Sequence, residues 1–259
     1  MVDQLTLSDA RIAFETHGRP AAPALVFSHG ILMDRTMFEP QIHDLARDYF
    51  CITWDERGHG DTTQQGSWTY WDSAHDLIAL LDHLDVSEAV LVGMSQGGFL
   101  SLRCALTAPG HVRALVMIDS QAGPEPEHLA PIYKAMLERW LAEGGGDIVD
   151  STAAVILGPA ESSTWKAMWL ARERSWVVEP FKTLMQREDI HDRLREIGCP
   201  TVVIHGSLDA AISLELANRL CEGLPGCTGV VVVDGAGHAS NLSHPARVTA
   251  EIRSFLERL

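Results

Sequence analysis

The chain has 259 residues, of which 46% are hydrophobic and 21% charged, so it suits one large globular domain or one domain that carries an insertion. The 35 Asp and Glu residues outnumber the 20 Lys and Arg residues, and the formal charge of −15 argues against nucleic acids and membrane surfaces as partners. No apolar run approaches the ~20 residues that span a bilayer, and no secretory signal is visible, so a cytoplasmic location is expected.

Short apolar runs alternate with longer helical patterns, which predicts a mostly parallel, eight-stranded sheet flanked by helices. The first two runs suit an antiparallel edge hairpin, whereas the later ones are continuously apolar, as in strands buried on both faces. The strand candidates are Leu5–Leu7, Ile12–Thr16, Ala24–Ser28, Phe50–Trp54, Ala89–Gly93, Ala114–Ile118, Thr201–His205 and Val230–Val233. The helix candidates between them are Met37–Arg47, Tyr70–Leu84, Gln96–Thr107, Leu214–Glu222 and Pro245–Glu257.

One stretch breaks this alternation. Residues 124–192 show helical patterning without a strong strand, which predicts a helical cap inserted after strand six. Residues 1–123 and 193–259 are then expected to form the core domain.

Cysteines and acidic clusters give no sign of a metal or a disulfide. The five cysteines form no CxxC pair and most lie in apolar segments, so reduced thiols are expected. The Asp and His residues between Asp72 and His83 lack an HExxH or closed Cys/His pattern, which favours a solvated helix face. No metal or cofactor is therefore expected.

The most specific motif is Gly93-Met94-Ser95-Gln96-Gly97, which fits G-x-S-x-G between a predicted strand and a predicted helix. A serine on such a sharp turn sits above the sheet as a nucleophile, and the glycines avoid collisions there. An activated serine needs a base, and the base needs an orienting acid. His238 follows the last strand and Asp209 the seventh, so the order Ser95, Asp209, His238 predicts a catalytic triad at the carboxyl ends of strands.

Three more motifs strengthen this interpretation: Ser28-His29-Gly30-Ile31, Asp55-Glu56-Arg57-Gly58-His59-Gly60 and Gly235-Ala236-Gly237-His238. With them the whole chain resembles the α/β-hydrolase superfamily, in its serine esterase, lactonase and perhydrolase type with a helical cap. The resemblance implies an oxyanion hole made of the backbone N–H groups of Ile31 and Gln96. It also leaves an alternative acid open, because some members carry the acid after strand six, where Asp119 stands.

The candidate cap has one readable pattern. Trp165, Trp169, Arg172 and Trp176 recur at helical spacing, so one shared helix face is expected. With Leu32 of the oxyanion loop, that face is a candidate wall of the substrate pocket, although the aromatic residues could equally pack the cap onto the core.

These observations predict a cofactor-independent serine carboxylic-ester hydrolase that acts on a small molecule. A lactonase of the enol-lactonase type is an alternative that would gain support from Arg172 or Arg174 in the pocket, and perhydrolysis in the same site is another. A hydrolase-like sensor with slow turnover is the alternative of another class. The sequence leaves open the oligomeric state, a homodimer included.

Overall fold

The computed structural model describes residues 2–125, 129–158 and 162–259. Their strands form one nine-stranded sheet, in the order β1-β2-β4-β3-β6-β7-β8-β9, with β5 paired to β2. The strands are β1 (Asp3–Thr6), β2 (Ala10–His17), β3 (Ala24–Ser28), β4 (Phe50–Trp54), β5 (Thr63–Gln64), β6 (Ala89–Met94), β7 (Val112–Ile118), β8 (Thr201–Gly206) and β9 (Cys227–Val233). The helices are α1 (Glu39–Leu45), α2 (Tyr70–His83), α3 (Gln96–Thr107), α4 (Ala130–Glu143), α5 (Asp147–Ile156), α6 (Ser163–Ala171), α7 (Val178–Met185), α8 (Leu214–Gly223), α9 (Ser240–Ser243) and α10 (Pro245–Leu256).

The mostly parallel sheet expected from the sequence is confirmed, with the two-residue β5 as an additional ninth strand. Pairing is antiparallel between β1 and β2 and between β2 and β4, and parallel from β4 across to β9. Strands β3, β4, β6 and β8 are buried along their whole length, as their continuous apolar runs predict.

The prediction that the last strand is buried on both faces is wrong. Strand β9 lies at the edge of the sheet, and most of it is half-buried or exposed, with Val232 42% exposed. A continuous apolar run therefore did not distinguish a central strand from an edge strand, because that difference depends on which neighbours pack against it.

The expectation of reduced cysteines is also wrong for one pair. Cys221 of α8 and Cys227 of β9 form a disulfide across the turn that joins the two elements. The sequence shows only a spacing of six residues, and their proximity arises from the way α8 packs back on the sheet. Cys51, Cys104 and Cys199 are free thiols.

In the part of the chain between β7 and β8 that the structure describes, all regular secondary structure is helical. This part contains α4 to α7 and two short 3₁₀ turns, Arg174–Val177 and His191–Glu196. Division into a core and a cap at residues 124 and 192 stays a prediction, and residues 126–128 and 159–161 of that range lie outside the described residues. Within the described residues, no helix combines the length and apolar character needed to cross a bilayer.

The sheet brings several loops together at one edge. Strands β3, β6, β7, β8 and β9 run parallel, so their carboxyl ends and the loops that follow them meet there. Among the polar residues carried by these loops are His29, Ser95, Asp119, Asp209 and His238.

Candidate active site

Ser95 occupies the sharp turn between β6 and α3. Its backbone has φ +50° and ψ −114°, a conformation that costs a non-glycine residue about 1–3 kcal/mol. A Cβ at Gly93 would overlap the backbone of Gly97, and a Cβ at Gly97 would overlap the backbone of Ser28 in β3. The two glycines of the motif therefore let the strained turn form against the sheet.

The side chains of Ser95, His238 and Asp209 form a hydrogen-bonded chain. Nε2 of His238 lies 3.0 Å from Oγ of Ser95, and Nδ1 lies 2.8 Å from Oδ2 of Asp209. Oδ1 of Asp209 accepts the backbone N–H groups of Ala211 and Ile212 at 2.8 and 2.9 Å. All three side chains are nearly or fully buried. The structure thus brings together three residues that lie 143 and 29 positions from one another along the chain.

Within these three hydrogen-bonded side chains, electrostatics favour the charged forms of His238 and Asp209. Burial by itself would lower the pKa of His238, but the adjacent Asp209 carboxylate, with smaller contributions from Asp119 and Glu125, outweighs burial and raises the pKa above its ordinary value. Burial would likewise raise the pKa of Asp209, but the charge and hydrogen bond of His238 outweigh it and lower that pKa. His238 is therefore a stronger base than a free histidine, as a group that must accept a serine proton requires.

Asp119, the alternative acid, makes different contacts. Its Oδ1 accepts the N–H of Gly206 at 2.8 Å, and its Oδ2 accepts the N–H of Ser240 at 2.9 Å. Burial raises the pKa of Asp119 to about 6. This carboxyl group therefore ties the end of β8 to the segment after His238, whereas the imidazole hydrogen-bonds to Asp209.

Among the described residues, Asp119, His205 and Asp209 place possible metal-ligand atoms within 4.8 Å of one another. However, both oxygens of each carboxylate accept hydrogen bonds from backbone N–H groups or His238. His205 Nε2 also contacts the carbonyl of Ile212 at 2.9 Å. The four carboxylate oxygens and His205 Nε2 already have hydrogen-bonding partners, which does not fit a metal site.

Two backbone segments flank the Ser95 hydroxyl. Ile31 lines the same cavity as Ser95 and His238, and Gly30 is so close that an added Cβ would stand 3.7 Å from the Cβ of Ser95. Gln96 is the first residue of α3, so its N–H has no acceptor within the helix. Ile31 and Gln96 therefore lie on the two backbone segments next to Ser95, and the assignment of their N–H groups to an oxyanion hole stays a prediction.

Two buried histidines hold the loop that contains Ile31, a role that the sequence analysis missed. His59 Nε2 accepts the N–H of Leu32 at 3.2 Å, and its Nδ1 donates to the carbonyl of Arg57 at 2.9 Å. His29 accepts a backbone N–H through Nε2 at 3.0 Å and donates from Nδ1 to the carbonyl of Gly30 at 2.8 Å. Burial lowers the pKa of both imidazoles, so both act as neutral groups.

A narrow cavity of about 50 Å³ adjoins Ser95 and His238. Ligand clefts more commonly hold roughly 300–1,000 Å³, so this shape suits a small substrate. Besides Ser95 and His238, three polar side chains contribute to the lining, those of Glu125, Tyr133 and Thr152. The main apolar lining residues are Met136, Val155, Ile156, Phe181, Leu184 and Ile212.

The pocket residues expected from the tryptophan pattern do not line this cavity, and the expectation of one shared helix face is wrong. Helix α6 ends at Ala171, so Arg172 caps it and Trp176 belongs to the separate 3₁₀ turn. Trp165 packs against the hydrophobic core instead of the cavity. The regular spacing was misleading because the helix stops before the pattern does.

Trp169, Leu32 and Arg172 have structural contacts instead. The indole Nε1 of Trp169 donates to the carbonyl of Leu32 at 2.7 Å and so joins α6 to the loop that contains Ile31. The guanidinium of Arg172 stacks over the Trp176 ring at 4.6 Å and donates to the carbonyl of Gly60. These contacts pack the helical segment onto the core, as the alternative interpretation of the pattern expected.

Comparison with known proteins agrees with this geometry. Residues 23–147 match a family model described as alpha/beta hydrolase fold. The 3-oxoadipate enol-lactonase 2 of Acinetobacter baylyi is 25% identical over 99% of this chain and 97% of its own length. A protein assigned as the carbamate hydrolase RutD in Agrobacterium fabrum is 29% identical over 94% of this chain and 97% of its own.

A solved structure is similarly close. The thermophilic esterase of Thermogutta terrifontis, studied with malate bound, superposes with a TM-score of 0.86 at 27% identity, covering 100% of this chain and 98% of that chain. With the nine-stranded sheet and the match over residues 23–147, these relatives identify the chain as a hydrolase with the α/β-hydrolase fold, similar to esterases and lactonases of that fold.

Proposed function

We propose that this protein is a cofactor-independent serine hydrolase that cleaves a small carboxylic ester through an acyl-enzyme intermediate. The observation that carries the proposal is the hydrogen-bonded chain from Ser95 through His238 to Asp209, next to a narrow apolar cavity. Nucleophile, base and orienting acid in that arrangement suit acyl transfer.

The contacts support a two-step reaction. Ser95 Oγ attacks the ester carbonyl carbon while His238 Nε2 takes the hydroxyl proton, and the N–H groups of Ile31 and Gln96 stabilise the oxyanion. The tetrahedral intermediate collapses, the alkoxy group leaves with the proton from His238, and an acyl-serine remains. Water then attacks the acyl carbon with His238 as the base, the acid is released and the Ser95 hydroxyl is restored. Asp209 orients the imidazole and stabilises its charged form.

The cavity lining favours an uncharged substrate. A substrate carboxylate would need a cationic anchor, but Arg172 packs on Trp176 and Arg174 donates to the carbonyl of Ala142 at 2.7 Å. Among the described residues that line the cavity there is no Lys or Arg. The lactonase alternative draws support from the enol-lactonase relative but gains none from these contacts, so we favour an ester without a free carboxylate.

Hydrolysis of p-nitrophenyl acetate, butyrate and octanoate and of a lactone panel tests the proposal. We expect brisk turnover of the short esters and a fall in kcat on the order of 10⁴ or more in Ser95→Ala. Ser101→Ala is the matched control. Ser101 lies on α3 one helical turn after Gly97, and its hydroxyl donates a hydrogen bond to the carbonyl of Gly97.

A serine-directed phosphonate should add once to the wild-type protein, at Ser95, and not to Ser95→Ala. Undiminished hydrolysis in Ser95→Ala would exclude the serine mechanism. Turnover that stops after a few cycles would favour the sensor alternative, and faster cleavage of lactones than of esters would favour a lactonase.

A further inference from the structure

One charged side chain in the cavity wall has no part in the triad. Glu125 lines the cavity together with Ser95 and His238, and its side chain is only 5% exposed. One carboxylate oxygen, Oε1, accepts a hydrogen bond from Arg187 Nη2 at 2.7 Å. The other oxygen, Oε2, is buried and has no hydrogen-bond partner among the described residues. A buried acceptor without a partner is costly, and the cost is larger for a charged group.

Arg187 holds Glu125 in place, and each of its three nitrogens donates a hydrogen bond. Its Nε donates to the carbonyl of Gly123 at 2.8 Å, and its Nη1 donates to the carbonyl of Leu184 at 2.9 Å. The guanidinium lies 4.3 Å from the centre of the Phe99 ring and is 1% exposed. The pair is therefore held in place, and it leaves one carboxylate oxygen, buried and without a partner among the described residues, on a residue that lines the cavity.

The charges of this pair indicate which group would satisfy Oε2. Arg187 already neutralises Glu125, so an ammonium group would bring an uncompensated charge into an apolar cavity. A hydroxyl or an amide N–H adds no charge and supplies the missing donor. Thr152 is not the donor to Oε2, because its hydroxyl donates to the carbonyl of Ile148 at 2.7 Å.

We propose that Glu125 Oε2 is a specificity subsite that accepts a hydrogen bond from a neutral hydroxyl or amide N–H group of the ester substrate. The inference rests on the proposed function, since it requires that the same cavity hold an ester at Ser95. It narrows the substrate class from small uncharged esters to small esters that carry one such donor.

Paired substrates of equal size test this subsite. One pair is p-nitrophenyl 3-hydroxybutanoate against p-nitrophenyl 3-methylbutanoate, in which a hydroxyl replaces a methyl group in the acyl chain. A second pair is 2-hydroxypropyl butanoate against isobutyl butanoate, which places the same exchange in the alkoxy chain. A hydrogen bond to a charged group is worth roughly 1.5–3 kcal/mol, so we expect kcat/KM to favour the hydroxy ester of at least one pair by about 10- to 100-fold.

Two variants at the pair should remove that preference. Glu125→Gln replaces the ionised acceptor by an amide, and the double variant Glu125→Met with Arg187→Met removes both charges together, so that no unpaired guanidinium remains buried. Because the readout is a ratio between two substrates on one protein sample, a smaller folded fraction does not change it. Glu179→Gln is the matched control, since Glu179 pairs with Lys182 on α7 at 3.5 Å and does not line the cavity.

The outcomes separate this inference from the function it rests on. If the methyl-branched esters are hydrolysed in a reaction that depends on Ser95, and neither pair shows a preference for the hydroxy ester, the subsite is overturned and the serine hydrolase stands. A preference that survives in both variants would also overturn it, as would faster cleavage of p-nitrophenyl 3-aminobutanoate than of the hydroxy ester at a pH where the amine is charged. Absence of any hydrolysis that depends on Ser95 would instead overturn the proposed function.

Discussion

At the scale of single residues, the strength of His238 as a base depends on its neighbour. The carboxylate of Asp209 raises the pKa of His238 despite burial, and the serine proton can be accepted only by the neutral imidazole. Activity should therefore fall as the pH drops through a midpoint above 6.5, the ordinary value for histidine. A pH profile of kcat/KM for p-nitrophenyl butyrate checks this, and a midpoint well below 6.5 would contradict it.

Asp209→Asn should change both the rate and that profile. The variant loses the charge that orients and stabilises the imidazolium, so we expect kcat to fall by about 10⁴. Because the Asp209 carboxylate is the largest of the charges that raise the pKa of His238, the remaining activity should persist to lower pH than in the wild type.

Asp119→Asn is the comparison variant for that experiment. Its amide can accept from only one of the N–H groups of Gly206 and Ser240, so a lower thermal midpoint is expected together with a much smaller loss of kcat. A dead Asp119→Asn beside a nearly normal Asp209→Asn would reverse the assignment of the acid.

The sequence predicted the residues of the hydrogen-bonded chain but not those of the cavity. Ser95, Asp209 and His238 each follow a recognisable strand, and topology alone brings strand ends together. Glu125 and Arg187 stand in no motif, and their contact across 62 positions depends on how the helical segment packs. The tryptophan spacing was a poor guide because side-chain periodicity shows which residues share a helix face only as far as the helix continues.

At the scale of elements, Leu32 connects α6 to the loop that contains Ile31. Leu32 has a left-handed φ of +64°, and both of its backbone polar groups bond to distant side chains, its N–H to His59 and its carbonyl to Trp169. The loop that presents the Ile31 N–H is thus held from the core on one side and from the helical segment on the other.

Trp169→Phe should therefore affect catalysis as well as stability. The variant keeps most of the buried ring but leaves the carbonyl of Leu32 without its donor, which should lower the free energy of unfolding by about 1–3 kcal/mol. Looser placement of the Ile31 N–H should lower kcat more than it changes KM, since an oxyanion donor acts mainly in the transition state. Trp165→Phe, on the same helix, is the control, and equal effects of the two variants on kcat would contradict this coupling.

At the scale of the whole molecule, the sequence predicted the parallel sheet and the position of the helical segment because both follow from long apolar and helical patterns. Strands Ala24–Ser28 and Phe50–Trp54 and helix Gln96–Thr107 are found with the predicted bounds. The edge position of β9 and the Cys221–Cys227 disulfide were missed, because both depend on which elements become neighbours and leave no local pattern.

Buried ionisable groups also link the fold to pH. Burial lowers the pKa of both His29 and His59, so both are neutral in the folded protein. The negative charge of Asp55 opposes this shift at His29, whereas the positive charge of Arg172 adds to it at His59. The unfolded chain, with histidine pKa near 6.5, binds protons at a pH where the folded state does not. These two groups therefore contribute stability above pH 6.5 that is lost as the pH falls toward their folded pKa values.

His238 acts in the opposite direction, because its raised pKa contributes stability below pH 6.5 that is lost as the pH rises through the folded value.

The contribution of His59 can be separated from that of His238 by comparing the pH dependence of unfolding in a His59 variant with that of the wild type. His59→Gln keeps an acceptor for the Leu32 N–H but does not titrate, so its free energy of unfolding should change less between pH 7 and pH 5 than that of the wild type. The slope should fall by up to about 1.4 kcal/mol per pH unit, the effect of one proton. Denaturant unfolding across this pH range measures the slope, with the exposed His75→Gln as the control, and an unchanged slope in His59→Gln would show that His59 also takes up a proton in the folded state.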